Sequence, residues 1–171
     1  MDALKTWIRD VPDFPKPGIV FKDITPLLHS PEGMQLCMNA LVEAVDPGSF
    51  DVVAGVESRG FLFGTPLALA LGKPFVPVRK PVKLPWKVER VEYALEYGTD
   101  ALEVHVDAAS PGARVLVVDD LLATGGTVAA TVELFERIGA RVIGASFVVE
   151  LGFLGGRERI APVESHALLT Y

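Results

Sequence analysis

Two adjacent acids, Asp119 and Asp120, separate an apolar run, VLVV, from the segment LLATGGT that ends at Thr127. Carboxylates side by side at the end of a buried strand can accept hydrogen bonds from sugar hydroxyls. The turn after them offers different chemistry. Gly125 and Gly126 carry no side chain, so an anion can come close to the backbone. Ala123 and Thr124 lead into the turn and Thr127 leaves it, and each threonine adds a hydroxyl donor. A helix starting there would point its first amides outward and add positive potential from its dipole. The pattern reads as a cradle for a phosphate carried on a sugar. A plainer reading is a tight Gly-Gly turn with Thr127 capping a helix. That reading explains the glycines but not the paired acids. A Walker-type loop needs a Lys after its glycines, and none follows here. The dinucleotide fingerprint needs another glycine spacing.

Other segments carry chemistry less distinctly. Glu57, Ser58 and Arg59 sit between an apolar run and a helical pattern, and by themselves fit an ordinary polar turn. Arg79, Lys80, Lys83, Lys87 and Arg90 form a basic run, which is most often a solvated face. Glu96 follows that run and fits a surface carboxylate. Phe21 and Leu151 fit core positions. Cys37 falls in a helical stretch with no basic neighbour in sequence, so it reads as a buried small hydrophobe. His29, His105 and His166 are not spaced as metal ligands.

These residues need elements to hold them. Residues 2–9 suit a short helix, and residues 11–28, broken by four prolines and a glycine, suit an irregular ordered segment. Ser30 followed by Pro31 is a helix start, with a side-chain cap and then a residue that has no amide hydrogen to leave unpaired. That helix should run to about Val45. Residues 52–56 read as a buried strand, 61–71 as a helix closed by Gly72, and 75–78 as a strand. Residues 80–91 read as a loop. Residues 101–106 alternate, with Leu102, Val104 and Val106 on one face and Glu103 and His105 on the other. Pro111-Gly112 is a turn, 115–118 a strand, 128–139 a helix with a Glu133–Arg137 pair, and 142–149 a strand. Strands alternating with helices predict an α/β fold, a mostly parallel sheet with helices on both faces. Its ligands should bind at the carboxyl ends of the strands.

Composition narrows the classes. A chain of 171 residues suits one domain spanning residues 1–171. Its net charge of −6 gives no attraction to nucleic acid or to an anionic membrane. One cysteine allows no internal disulfide, which fits a reducing compartment and a cytoplasmic location. Residues 1–10 carry Asp2, Lys5, Arg9 and Asp10, and are not expected to form a signal peptide. No apolar stretch is long enough to span a membrane as a helix.

Residues 115–127 resemble the signature of type I phosphoribosyltransferases, which bind 5-phosphoribosyl 1-diphosphate. Four further segments resemble the adenine phosphoribosyltransferases in order: FPKPGIVFKDITPLL from Phe14, GVESRGFLFG from Gly55, VRKPVKLP from Val78 and LEYG from Leu95. The resemblance covers nearly the whole chain. It implies a fold with a small hood and a mobile lid loop. It implies transfer of the phosphoribosyl group to N9 of adenine, giving AMP and diphosphate, with Mg²⁺ held mainly by substrate oxygens rather than by protein ligands. The matching residues then take roles. Glu57, Ser58 and Arg59 form the diphosphate loop, with a cis bond between Glu57 and Ser58. Arg79 and Lys83 reach the diphosphate from the lid. Glu96 is the acid/base group near the purine. Phe21 and Leu151 sandwich the ring, and the backbone at Val20 and Lys22 reads its edge. A homodimer is implied, with residues 61–71 and 75–79 apolar enough to contribute. Two departures stand out: Val82 replaces a common glycine, with Trp86 following the proline, and Lys22 replaces a common arginine. Two alternatives stay open at this stage. One is the same reaction on another base. The other is a non-catalytic regulator that senses the phosphoribosyl donor, although that would need an added domain or a basic face.

Overall fold

The computed structural model of the chain describes residues 2–94 and 99–171. Its centre is a five-stranded parallel sheet in the order β4-β3-β7-β8-β9. The strands are β3 (Val52–Val56), β4 (Phe75–Val78), β7 (Arg114–Leu122), β8 (Arg141–Glu150) and β9 (Glu164–Thr170). Strands β3 and β4 have the expected ends. Helices α3 (Pro31–Glu43), α4 (Gly60–Ala70) and α5 (Gly126–Arg137) cover the faces.

Period-two alternation splits β3 and β7 between two cores. Val52, Ala54, Val56, Val115 and Val117 pack with α5 residues Val128, Leu134 and Phe135. Val53, Leu116 and Val118 pack with Cys37 and Leu41 of α3 and Phe63 and Leu67 of α4. Both faces are thus buried, which is why β3 is apolar throughout. Ser30 caps α3 as expected, its hydroxyl oxygen accepting from the Gly33 amide at 2.9 Å. Such a cap is worth about 1 kcal/mol. Cys37 is fully buried, and burial pushes its thiol up to about 12, so it is an inert core residue.

Two small antiparallel sheets flank the main one. In the first, β1 (Arg9–Pro12) pairs with β2 (Val20–Asp23), and a short helix, α2 (Thr25–His29), follows. Regular structure therefore occupies much of residues 11–28, where an irregular segment was expected. Asp23 anchors it: hydrogen bonds from the Thr25 side chain and amide, and from Arg9, hold its carboxyl down at about 2. A four-residue helix, α1 (Asp2–Lys5), precedes this sheet and places Leu4 in the core. In the second sheet, β5 (Val88–Ala94) pairs with β6 (Thr99–His105). The basic stretch read as a loop through residue 91 therefore becomes a strand at Val88. The alternation expected over residues 101–106 puts Leu102 and Val104 in the core. Glu103 is buried, while Val106 is 36% exposed. Glu103 is covered where its backbone pairs with that of Arg79, at 2.9 and 2.7 Å, joining β6 to the residue that follows β4.

β7 continues four residues past the expected end, through both acids to Leu122, because β8 pairs with it as far as Glu150. Strand β9 and a short helix, α6 (Gly156–Arg159), had no counterpart in the sequence reading.

Candidate functional site

The acids, the glycine turn and the Arg59 loop meet at the carboxyl ends of β3 and β7. They line one cavity of about 270 Å³. Its walls include Glu57, Ser58, Arg59, Asp119, Asp120 and residues 123–127. α5 does begin at the turn, but Gly125, not Thr127, is its N-cap residue, at φ 77°. That left-handed conformation favours glycine. A Cβ at residue 125 would also lie 2.7 Å from the Gly156 carbonyl oxygen. A Cβ at residue 126 would meet nothing closer than the Arg159 guanidinium, at 3.5 Å. Glycine at 126 is thus not demanded by internal packing, and its bare backbone faces the cavity.

The peptide bond between Glu57 and Ser58 is cis, as the resemblance implied. Arg59 reaches across the cavity, its Nε 2.8 Å from Asp120 Oδ2. Asp120 is buried, so this ion pair compensates a carboxylate shielded from water. Among the described residues Asp119 has no such direct partner. Burial, then the neighbouring Asp120 charge, raises its carboxyl well above the ordinary value of 3.8. The Asp120 amide donates to it at 2.9 Å.

The segment expected to form a lid follows β4. Arg79 Nε lies 3.1 Å from Glu57 Oε2, and the same oxygen accepts from the Lys80 amide at 2.9 Å. Arg79 also donates to the Lys83 carbonyl at 3.4 Å. Its guanidinium is therefore turned to the lid's own root and is absent from the cavity wall, as is Lys83. Val82 adopts φ 65°, a left-handed conformation rare for a β-branched residue, and is 92% exposed. Its amide donates to buried Glu103 at 3.0 Å.

The base-side candidates stand apart from the cavity. Val20, Phe21 and Lys22 lie on β2, and Leu151 follows β8, its amide donating to Leu122 at 2.9 Å. Phe21 connects to the site through Arg59, whose guanidinium carbon is 5.9 Å from its ring centroid. Phe14 packs edge-on against Phe21 at 5.2 Å. Glu96 lies in the segment 95–98, outside the described residues. Three polar wall residues were not singled out as site residues: Lys80, Tyr93 and Asp100. Lys80 and Asp100 pair at 2.9 Å. Tyr93 faces Asp100 in the β5–β6 register and shares the cavity wall with Thr127. Lys80 belongs to the basic run and to the VRKPVKLP segment, while Tyr93 and Asp100 carry no motif and meet only through the pairing of β5 with β6.

A phosphoribosyl transferase domain model matches residues 23–167. This chain belongs to the phosphoribosyltransferase family. An adenine phosphoribosyltransferase of Acaryochloris marina is 54% identical over 168 residues, covering 98% of this chain and 99% of that protein. The crystal structure of adenine phosphoribosyltransferase from Thermoanaerobacter pseudethanolicus aligns with a TM-score of 0.96 at 49% identity, covering 99% of both chains. The enzyme from Saccharomyces cerevisiae, complexed with an imino-altritol bisphosphate and adenine, aligns at 0.90 with 42% identity, covering 98% of this chain and 97% of that one. These likenesses agree with the fold and place the phosphate-type turn within a known family of transferases.

The raised Asp119 carboxyl has a measurable consequence. Above the ordinary value of 3.8 the folded protein holds a proton that the unfolded chain has lost. Stability therefore falls as pH rises through the interval up to the raised folded value, and the cost persists above it. Asp119→Asn removes that cost and still accepts from the Asp120 amide. Its melting temperature should exceed the wild type's at about pH 8, by a margin that shrinks towards about pH 4. Thermal melts across that range check this; a margin independent of pH would contradict it.

Proposed function

We propose that this chain is an adenine phosphoribosyltransferase. It moves the phosphoribosyl group from 5-phosphoribosyl 1-diphosphate to N9 of adenine, giving AMP and diphosphate, a purine-salvage reaction. The observation that carries this reading is the convergence of the Gly125-Gly126 turn, the Asp119–Asp120 pair and Arg59 on one cavity. Residues 1–171 act as one such domain.

The bond from C1 of the ribose to the diphosphate oxygen breaks, the bond to N9 forms, and N9 loses its proton. Positive charge builds at C1 while negative charge builds on the leaving group. The amides at the start of α5 and the Thr124 and Thr127 hydroxyls hold the 5-phosphate, and Ala123 shapes the turn's entry. Asp119 and Asp120 accept from the ribose hydroxyls, a positioning effect. Arg59 has donors enough to keep Asp120 and take a diphosphate oxygen. Glu57 and Ser58 complete the diphosphate loop. Arg79 and Lys83 reach the leaving group when the lid closes and excludes water. Phe21 and Leu151 sandwich the adenine, the backbone of Val20 and Lys22 reads its edge, and Glu96 manages the N9 proton.

The donor set suits Mg²⁺ carried on substrate oxygens. Among the described residues no three His, Cys, Asp or Glu cluster as a metal cage, while Asp119 and Asp120 present hard oxygen donors at the cavity wall. Such an ion, when bound, offsets charge on the departing diphosphate. Among the described residues no helix is long and apolar enough to cross a membrane, which agrees with a cytoplasmic enzyme. A twofold dimer is part of this reading, supported by the exposed apolar residues of α4, Leu62 at 43% and Leu69 at 82%. Sedimentation should find that dimer at assay concentration; an active monomer would end this part of the reading.

Diphosphate release with each purine in turn tests the base. Adenine should be used on the order of 10³-fold or more faster than hypoxanthine, because an oxo group leaves the amino-reading acceptors unpaired. Equal turnover of the two bases would overturn the assignment. Single-turnover rates test the roles of the lid and Glu96. Glu96→Gln should slow the chemical step by about 10²-fold or more with both substrates bound. Lys83→Ala should slow it while leaving adenine affinity almost intact. Unchanged rates in both variants would make these groups structural.

A further inference from the structure

The two sides of the proposed purine site are remote in sequence, and one residue holds both. Leu151 lies between two backbone bonds made by Tyr171. The Tyr171 amide donates to Glu150 at 2.9 Å, and its carbonyl accepts from the Gly152 amide at 2.9 Å. The Tyr171 ring lies under the opposite side. Lys22 Nζ is 3.9 Å from its centroid. The same ammonium donates to Asp10 Oδ1 at 2.7 Å, and Asp10 is the residue opposite Lys22 in the β1–β2 register.

The Lys22 side chain is only 12% exposed, against 58% for Asp10. Its charge is thus withdrawn from water between one carboxylate and one aromatic face, where a cation over a ring is held more strongly than at an open surface. Lys22 does not line the phosphate cavity. The ammonium therefore works as a tether, and the backbone of β2 is what it positions. Burial, with the Asp10 charge second, raises the Tyr171 hydroxyl above the ordinary value of 10.0, so the ring stays neutral under Lys22.

We propose that Tyr171 is a positioning residue for the base: it fixes the separation between Leu151 and the backbone of residues 20–22 by holding the first through its main chain and the second through its ring. This rests on the adenine reading given above. The positioning acts on adenine and not on the phosphoribosyl donor, whose turn at residues 123–127 lies on other elements.

The test separates the two substrates. Tyr171→Leu keeps the main-chain bonds and removes the ring. Lys22→Met keeps the stem, removes the charge and leaves β9 untouched, so it decides the matter if the first variant folds poorly. Each should raise KM for adenine about tenfold, the scale of a desolvated cation–π contact, with KM for the donor and kcat near wild type. The double variant should be no worse than either single one, since both remove one shared interaction. Tyr171→Phe should retain wild-type constants. An unchanged KM for adenine, an equal rise for both substrates, or a double variant equal to the product of the singles would overturn the proposal. A wild-type protein inert towards adenine would instead remove the underlying reading, and this inference with it.

Discussion

A side chain at Gly156 would bring its Cβ within 2.2 Å of the Ala123 carbonyl oxygen, and one at Gly125 would come within 2.7 Å of the Gly156 carbonyl oxygen. Two stretches of backbone are therefore pressed together where β7 gives way to α5. This approach fixes the turn from behind, against α6, and leaves its other side open to the cavity. The anion-facing amides need no side chains to aim them. The acids just before the turn inherit the same rigidity, because β7 stays paired with β8 through both of them.

Charge in this site is arranged by contrast. Asp119 and Asp120 are neighbours in sequence, yet among the described residues only Asp120 has a guanidinium partner, at 2.8 Å. Adjacent strand residues point to opposite faces, so one cation does not serve both equally. The result is one compensated carboxylate and one strained towards protonation. Across the cavity, Lys80 and Asp100 form their own pair, and Glu57 occupies Arg79. The cations are thus held ready on carboxylates within a protein of net charge −6.

What could be read in advance follows from how each element earns its burial. Strands β3 and β4 were legible to the residue because both sheet faces are covered and the apolar runs are unbroken. β7 was cut short because Asp119 and Asp120 interrupt the apolar run while the ladder continues to Leu122. The first four residues of β5 fall inside the stretch 80–91, which reads as a loop because its prolines and basic residues show no apolar face and hide the pairing with β6. β9 begins with Glu164, Ser165 and His166 at the sheet edge, and its apolar run is only Ala167–Leu169. In the site, the turn and the acids announced themselves through residue type and spacing, whereas Arg59, which by itself fits an ordinary polar turn, was marked only by the resemblance. Tyr93 and Asp100 were marked by neither, since only the register of a hairpin brings them together. Gly156 was invisible for a related reason: its constraint comes from Ala123, thirty-three positions earlier in the chain.

Val82 holds a conformation that disfavours its own side chain, and being 92% exposed it recovers nothing by packing. The bond from its amide to buried Glu103 is the visible compensation. The two positions are thereby linked in the order in which they can drift. With valine in place, loss of the Glu103 carboxylate leaves the turn without its support. With glycine at position 82 the left-handed conformation costs little, and Glu103 becomes free to change. A lineage that acquires the valine thus commits itself to the acid, and must surrender the valine first to be released from it.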